Sequence, residues 1–215
     1  MKYTHLFFDL DGTVIDSSSG ITKSVAYALQ KLGRKVPDEK ELLCFIGPPL
    51  EYAFTTFCGM DRETAKKAVS LYRENYRAGA VLDCRVYDGI KQLLKRATDA
   101  GLCCVLATCK PHIYANAILE HHGLAPYFSL VSGPELDGTR GEKHEVIEHA
   151  IELLGIADRK TVLMVGDRKN DADGARTCAV DCAGVLWGFG TAQELLEGEA
   201  KYLFEKPSDL EAFLL

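Results

Sequence analysis

The sequence predicts an α/β fold in which a doubly wound parallel sheet is interrupted by a helical insertion. From residue 84 onward, short apolar runs alternate with amphipathic stretches of helix length. Uninterrupted apolar runs such as residues 102–107 and 162–165 are typical of parallel strands, because helices cover both faces of such a sheet. Between residues 16 and 83 nearly all the patterns are helical instead. We therefore expect a Rossmann-like core and an inserted all-α domain.

The strands of the core are expected where an apolar run stops at a polar residue or a glycine. The first covers residues 5–8 and is followed by Asp9. Amphipathic periodicity predicts helices after the later runs. These strands are predicted at residues 102–107, 128–131, 161–165, 181–186 and 202–204, and the helices at residues 89–100, 112–122, 143–154, 171–178, 192–197 and 208–215.

The insertion consists of four helical patterns, at residues 20–32, 38–44, 50–57 and 62–78. Gly33, Pro37, the Gly47-Pro48-Pro49 run and Gly59 stand between them, and such residues mark turns. The predicted domains are therefore an α/β core at residues 1–15 and 84–215 and a helical domain at residues 16–83.

The composition excludes several classes of protein. Of the 215 residues, 47% are apolar and 26% are charged, which is too apolar for a disordered chain. The formal charge is −6, whereas binding to nucleic acid or to an anionic membrane requires a basic surface, so we expect neither partner. No apolar run approaches the roughly 18 residues of a membrane span, and the first residues do not form a signal-peptide pattern. The expected location is therefore cytoplasmic.

The eight cysteines and six histidines are dispersed along the chain, and no Cys-x-x-Cys pair occurs. Zinc sites and disulfide frameworks show closer spacing. We therefore expect reduced cysteines, most of them small core residues, and no histidine metal site.

Acidic and hydroxyl side chains follow three of the predicted strands. Asp9 and Asp11 come after the first strand, Thr108 after the next, and Asp167 and Asp171 after a later one. In an open α/β sheet the ligand site lies beyond the carboxyl ends of the strands, so these side chains are expected around one crevice. Four carboxylates repel one another unless a positive group lies among them. Oxygen donors with open coordination positions favour Mg²⁺ over Ca²⁺.

Each of these signals also has an ordinary structural explanation when it is taken alone. An Asp-x-Asp-Gly run is a common turn, Asp171 suits a helix N-cap, and Thr108 is a hydroxyl residue that ends a strand. Their occurrence together at successive strand ends favours a functional site. Asp9 and Asp11 are two residues apart, which places both on one side of an extended segment, and Gly12 allows close backbone approach to a phosphoryl group.

These residues resemble the four motifs of the haloacid-dehalogenase-like superfamily. The helical insertion resembles the cap that one branch of the superfamily carries between its first two motifs. Gly47-Pro48-Pro49 and residues 136–140 are similar to phosphoglycolate-phosphatase-like members. The matching residues are Asp9-Leu10-Asp11-Gly12-Thr13-Val14 for the first motif, Thr108 for the second, Lys143 for the third, and Gly166-Asp167 with Asp171 for the fourth.

The resemblance implies a two-step phosphoryl transfer. Asp9 would be the nucleophile, and Asp11 would be the general acid and base. Thr108 would donate a hydrogen bond to a phosphoryl oxygen, and Lys143 would neutralise charge between Asp9 and the phosphoryl group. A carboxyl group at position 11 favours a phosphatase over a dehalogenase. Mg²⁺ would be held by the Asp9 carboxylate, the Asp11 backbone carbonyl, Asp167 and Asp171.

The expected substrate is a small phosphorylated metabolite, and the expected activity is phosphoglycolate phosphatase-like. Cys109 and Lys110 follow Thr108 and are expected to border the phosphate, where an electropositive pocket would favour the thiolate of Cys109. The inserted domain would close over the site and determine substrate choice. The candidate substrate-binding residues are Gly12, Cys109, Lys110, Gly47, Pro48 and Arg73.

Other functions are compatible with the same motifs. A 5′-nucleotidase or a sugar-phosphate phosphatase would have the same core residues, and a sugar-phosphate mutase would return the phosphoryl group to the sugar instead of to water. Outside enzymes, the alternatives are a phosphate-binding protein and a signalling module phosphorylated on aspartate, although a receiver-like module has no reason to carry a helical insertion. The expected oligomeric state is a monomer or a homodimer.

Overall fold

A six-stranded parallel sheet forms the centre of one of the two units of the chain. The computed structural model describes residues 2–215. Residues up to Asp16 form the α/β unit together with Val86–Leu215, and Ser17–Arg85 form a helical unit. The strands are β1 (His5–Phe8), β2 (Ile15–Asp16), β3 (Arg85–Val86), β4 (Cys103–Ala107), β5 (Leu130–Ser132), β6 (Val162–Gly166), β7 (Asp181–Val185) and β8 (Tyr202–Phe204), of which β2 and β3 form a separate two-stranded sheet.

The helices alternate with the strands in the α/β unit and follow one another in the helical unit. Short 3₁₀ turns occur at Leu43–Phe45, Ala80–Leu82, Ala125–Tyr127 and Arg159–Thr161. The α-helices are α1 (Ser18–Lys31), α2 (Glu39–Leu42), α3 (Leu50–Cys58), α4 (Arg62–Arg77), α5 (Ile90–Asp99), α6 (His112–His121), α7 (Lys143–Leu154), α8 (Lys169–Thr177), α9 (Ala192–Glu197) and α10 (Pro207–Leu214).

The large sheet has the strand order β5-β4-β1-β6-β7-β8, with every neighbouring pair parallel. Phe7 in β1 is in register with Val105 of β4 on one side and with Met164 of β6 on the other. The chain therefore adds strands first on one side of β1 and then on the other. Ligands bind beyond the carboxyl ends of the strands where the order reverses in this way. The predicted α/β fold is confirmed.

The main core lies between this sheet and the helices α7 and α8. Phe7, Val105 and Met164 pack there with Val146 of α7 and Ala172 of α8, and all five are buried. All residues of β6 are buried, as expected for a strand covered on both faces. Within residues 2–215, none of the helices combines the length and the apolar character that crossing a bilayer requires.

The helical unit has its own buried contacts. The Ser24 hydroxyl of α1 donates to the Asn75 side-chain oxygen of α4 at 3.1 Å. Phe45 packs edge-on against Phe54 and Phe57, with ring centroids 5.0 and 5.7 Å apart. The helix expected at residues 38–44 is shorter, because the chain leaves α2 after Leu42 and continues as a 3₁₀ turn.

Two other predicted boundaries differ from the structure for identifiable reasons. The strand expected from residue 128 begins at Leu130. The ring of Phe128 packs against Phe8 in an edge-on contact, which explains an apolar residue at this position. Its N–H, however, donates to the carbonyl oxygen of Ala125 in the preceding 3₁₀ turn and not to a neighbouring strand. The helix expected from residue 171 begins two residues earlier. The Asp171 carboxylate accepts from the N–H of Arg168 at 3.0 Å, so it lies within the first turn and is not the N-cap.

The first residues of the described chain are tied to β7 through Asp181. Lys2 Nζ lies 2.7 Å from Asp181 Oδ2, and the Tyr3 hydroxyl donates to the same oxygen at 2.5 Å. Lys201 Nζ lies 2.9 Å from both carboxylate oxygens. Partial burial alone would raise the pKa of Asp181, but the hydrogen bonds from Lys2, Lys201 and Tyr3 outweigh it and lower the pKa to about 2.

We expect Asp181→Asn to lower the free energy of unfolding by about 1 kcal/mol at neutral pH, a value reduced for the exposure of both lysines. Because the pKa of this carboxyl is lower in the folded than in the unfolded state, its stabilisation is complete above the unfolded pKa. It is lost as the pH falls from about 4 towards 2. Urea unfolding at several pH values measures the difference between variant and parent. A matched Asp99→Asn variant, which removes an exposed ion pair with Lys95, should change stability less, and a pH-independent loss at Asp181 would contradict the assignment.

Close packing of α8 on α7 yields a second prediction. A Cβ atom at Gly174 would lie 2.6 Å from Cγ of Lys143 and 3.1 Å from the backbone nitrogen of His144. Gly174→Ala should therefore destabilise the protein by about 1–3 kcal/mol through overpacking, although alanine favours helices by about 1 kcal/mol over glycine. Urea unfolding tests this against Thr177→Ala on an exposed position of the same helix, which should be nearly neutral. Equal stability of Gly174→Ala and its parent would show that α7 and α8 can separate freely.

Candidate active site

The nucleophile candidate Asp9 stands at the carboxyl end of β1, where the chain makes a tight turn. The Asp9 N–H still donates to the β6 carbonyl of Val165 at 2.9 Å, as in the sheet, and its side chain is largely buried. The carbonyl of Leu10 then accepts from the N–H groups of both Val14 and Ile15 at 3.0 Å. Gly12 occupies φ +88° in this turn, a conformation that favours glycine. The turn places Asp9 and Asp11 at the same edge of the sheet.

Lys143 is the first residue of α7 and brings a buried positive charge to Asp9. Its Nζ lies 2.7 Å from Asp9 Oδ1, 2.7 Å from Asp171 Oδ1 and 3.0 Å from the carbonyl oxygen of Ala107. Only 5% of the side chain is exposed. Burial alone would lower the pKa of Lys143, but the carboxylates of Asp171 and Asp9 outweigh it and raise the pKa well above its usual value. The ammonium group therefore stays charged across the physiological pH range.

Asp167 follows β6 and is fully buried next to these groups. Its Oδ2 accepts from the N–H of Phe189 at 2.7 Å, and the hydroxyl of Thr13 lies 3.5 Å from Oδ1. Burial, together with the nearby charges of Asp171 and Asp9, raises the pKa of Asp167 well above its usual value. The carboxyl group is therefore costly to ionise here unless a further cation lies beside it.

Three carboxylates have a geometry that suits a metal ion. One oxygen each from Asp9, Asp167 and Asp171 lies within 4.8 Å of the others, and all three residues are buried. A set of oxygen donors without histidine or cysteine matches a hard divalent cation. The raised pKa of Asp167 indicates that the negative charge of the three carboxylates exceeds the positive charge beside them. The Asp11 side chain is not in this cluster, and its expected metal contact through the backbone carbonyl stays a prediction.

Thr108 and its two successors occupy the carboxyl end of β4. The Thr108 N–H donates to the carbonyl of Ser132 in β5 at 3.0 Å, and its hydroxyl oxygen accepts from the N–H of Lys110 at 3.2 Å. Lys110 is buried, with Nζ 3.1 Å from Asp11 Oδ2. Burial raises the pKa of the Cys109 thiol to about 12 against the opposing influence of Lys143. Desolvation of the Cys109 thiol therefore outweighs the neighbouring cation, which favours the protonated form.

One loop of the site was not predicted from the sequence. After β7, the indole N–H of Trp187 donates to the carbonyl of Thr13 at 3.0 Å, and the N–H of Phe189 holds Asp167. A Cβ at Gly188 would lie 2.2 Å from the carbonyl oxygen of Gly12, and one at Gly190 would lie 1.8 Å from that of Asp167. The two glycines after an apolar strand were a usable signal, because this loop leaves the same edge of the sheet as the carboxylates.

The candidate residues of the insertion are not brought into this cluster by any described contact. Gly47 occupies φ +107° in the turn before α3, with Pro48 next to it, and Arg73 is exposed on α4. All three belong to the helical unit. Their role in substrate binding stays a prediction.

Comparison with known proteins agrees with this geometry. The family model described as haloacid dehalogenase-like hydrolase matches residues 6–185. A 5′-nucleotidase of Pseudomonas aeruginosa is 42% identical over 91% of this chain and 88% of its own length. The tyrosine-protein kinase PtkA of Mycobacterium tuberculosis is 37% identical over 87% of this chain, which spans 63% of that protein.

Similarity to a solved structure extends over the whole chain. The crystal structure of a predicted phosphatase from Clostridium acetobutylicum has a TM-score of 0.93 and 40% sequence identity, covering 100% of this chain and 99% of that one. The family match includes β1 with Asp9 and Asp11, the Lys143 position and β6 with Asp167. On the sheet topology, the carboxylate and lysine cluster and these matches together, the chain belongs to the haloacid dehalogenase-like hydrolase family.

Proposed function

We propose that this protein is a Mg²⁺-dependent phosphatase that hydrolyses a small phosphomonoester through an aspartyl-phosphate intermediate. The observation that carries the proposal is the ion pair of 2.7 Å between the buried Lys143 ammonium and Asp9. A lysine in this position fixes the Asp9 carboxylate at the end of β1, where it can act as a nucleophile. The same ammonium can stabilise negative charge on a phosphoryl group next to Asp9.

In the first step, a carboxylate oxygen of Asp9 attacks phosphorus and the bond from phosphorus to the ester oxygen breaks. Asp11 gives its proton to the departing oxygen. In the second step, the Asp11 carboxylate takes a proton from water while the water oxygen attacks phosphorus. The bond from phosphorus to Asp9 then breaks, which releases inorganic phosphate and returns both carboxyl groups to their starting states. Thr108 donates a hydrogen bond from its hydroxyl group to a phosphoryl oxygen in both steps.

The carboxylate cluster supports the choice of Mg²⁺ as cofactor. Asp9, Asp167 and Asp171 would hold the ion, with the Asp11 backbone carbonyl as a further ligand. When bound, Mg²⁺ neutralises charge on the phosphoryl oxygens during transfer. The chain itself keeps Asp167 in place through the N–H of Phe189 and keeps Lys143 charged.

Two substrate classes are candidates for this site. The motif resemblance favours a phosphoglycolate-like substrate, whereas the relative that is named a 5′-nucleotidase and is 42% identical favours a nucleoside 5′-monophosphate. The relative that is named a tyrosine-protein kinase raises a third outcome, in which an acceptor other than water takes the phosphoryl group from Asp9. We propose that Gly47, Pro48 and Arg73 of the helical unit contribute to substrate choice. The cytoplasmic location and the monomeric or dimeric state stay predictions.

Metal binding can be measured without any turnover. Mg²⁺ at about 100 times its Kd should raise the free energy of unfolding by about 2.7 kcal/mol, because the folded state alone presents the three carboxylates together. Urea unfolding with and without Mg²⁺ gives this difference. Asp167→Asn should abolish most of it, whereas Asp173→Asn, on α8 outside the cluster, should keep it. Equal Mg²⁺ stabilisation in the parent and Asp167→Asn would place the ion elsewhere.

The activity itself is tested with a panel of phosphomonoesters that includes phosphoglycolate, nucleoside 5′-monophosphates and sugar phosphates. We expect release of inorganic phosphate that stops when the metal is chelated. Asp9→Asn should lower kcat by on the order of 10³-fold or more, because the amide is a poor nucleophile. Acid quenching of the parent during turnover should trap phosphate on Asp9, identifiable by mass spectrometry.

The same panel separates the candidate substrates. A kcat/KM for nucleotides at least tenfold above that for phosphoglycolate would select the nucleotidase activity, and the reverse ratio would select the phosphoglycolate activity. Consumption of substrate without release of phosphate would indicate transfer to another acceptor. Full activity of Asp9→Asn, or activity that persists without metal, would overturn the mechanism.

A further inference from the structure

The site contains a second buried lysine, which the two-step mechanism does not use. Lys110 lies two residues after Thr108, in the turn between β4 and α6, and only 6% of its side chain is exposed. Its Nζ lies 3.1 Å from Oδ2 of Asp11. Lys143 instead contacts Asp9 and Asp171. The two lysines therefore contact different carboxylates, one beside the nucleophile and one beside the acid and base.

Burial of an ammonium group requires a compensating interaction, because desolvation of a charge costs several kcal/mol. The carboxylate of Asp11 supplies such an interaction for Lys110. A lysine side chain is long and flexible, but the surrounding residues enclose that of Lys110 and restrict its position. The contact with Lys110 therefore also restricts the position of the Asp11 carboxyl group.

The contact makes the two oxygens of Asp11 unequal. Oδ2 faces the ammonium group of Lys110, whereas Oδ1 is buried and accepts no hydrogen bond from any residue in the range 2–215. An acid that exchanges protons with a leaving group must keep its carboxyl group in one orientation towards the reacting atoms. The contact at Oδ2 limits rotation of the Asp11 carboxyl group.

We propose that Lys110 is a positioning residue that holds Oδ2 of Asp11 and so fixes the orientation of the carboxyl group that exchanges protons in both steps. This inference rests on the proposed phosphatase function. In the first step the proton moves from the Asp11 carboxyl group to the ester oxygen as the bond from phosphorus to that oxygen breaks. In the second step the Asp11 carboxylate takes a proton from the water whose oxygen forms the new bond to phosphorus, so the carboxyl group returns to its starting state.

The leaving group of the substrate provides the test. A phenolate such as that of p-nitrophenyl phosphate departs with little help from an acid, whereas the alkoxide of an alkyl phosphate such as glycerol phosphate must be protonated. The constant kcat/KM reports the steps up to formation of aspartyl-phosphate, which include this protonation. We expect Lys110→Met to lower kcat/KM by about 10²-fold for the alkyl phosphate and by less than about tenfold for p-nitrophenyl phosphate.

Three further variants identify the cause of any loss. Asp11→Asn should show the same dependence on the leaving group, and the double variant should lose little beyond Asp11→Asn alone, because both substitutions remove one function. Lys110→Arg should recover part of the activity towards the alkyl phosphate. Lys160→Met, at an exposed lysine outside the site, should leave both substrates unaffected. Urea unfolding of each variant shows whether the protein is folded under assay conditions.

The results separate this inference from the proposed function. Equal losses for both substrates in Lys110→Met, or a double variant whose losses multiply, would overturn the positioning role and indicate a direct contact with phosphate or a purely structural contribution. In that case Asp9→Asn would still be inactive and Asp11→Asn would still depend on the leaving group. Retention of activity by Asp9→Asn would instead remove the phosphatase mechanism on which the inference rests.

Discussion

The contact of the Lys143 ammonium group with Asp9 and Asp171 is the interaction on which the rest of the site depends. Buried carboxylates this close together repel one another, and each has lost most of its hydration. Lys143 offsets part of that repulsion because α7 begins at this residue and delivers its Nζ between the two acids. The absence of a side chain at Gly174 lets α8 lie against the stem of Lys143. A detail of helix packing therefore determines where the positive charge lies.

Lys143 alone does not balance the negative charge of the three carboxylates. Asp167 belongs to the same cluster and keeps a raised pKa because of its burial and the charges of Asp171 and Asp9. The protein therefore maintains a site whose energy improves when a divalent cation or a proton arrives. Such a site is less stable than an apolar core of the same volume, which is a common cost of function. The apolar contacts of Phe7, Val105 and Met164 beneath the site supply the stability that this arrangement lacks.

Much of the fold and part of the site could be predicted from the sequence, because both depend on local patterns. The strands of a covered sheet are continuous apolar runs, and the residues that end them meet at one edge, so Asp9, Thr108 and Asp167 could be grouped without coordinates. The loop at residues 187–190 escaped prediction because its glycines signal only that another backbone lies close, and the structure is needed to show that this backbone belongs to Gly12 and Asp167. The sequence could not decide the ionisation of Cys109, because its environment combines a nearby cation with burial, and only the structure shows which effect is larger.

The central position of β1 has a consequence for how the chain reaches its native state. β1 is synthesised before the other strands of its sheet, yet its neighbours are β4 and β6, and all the residues of the helical unit are made before either appears. Pairs such as Phe7 with Met164 join distant parts of the chain, and such topologies fold slowly because a long loop must close before the contact is formed. During synthesis on the ribosome, β1 therefore stays unpaired in the sheet until β4 has emerged, and its other edge stays open until β6 follows. Chaperone dependence in the nascent chain should be concentrated at this apolar strand.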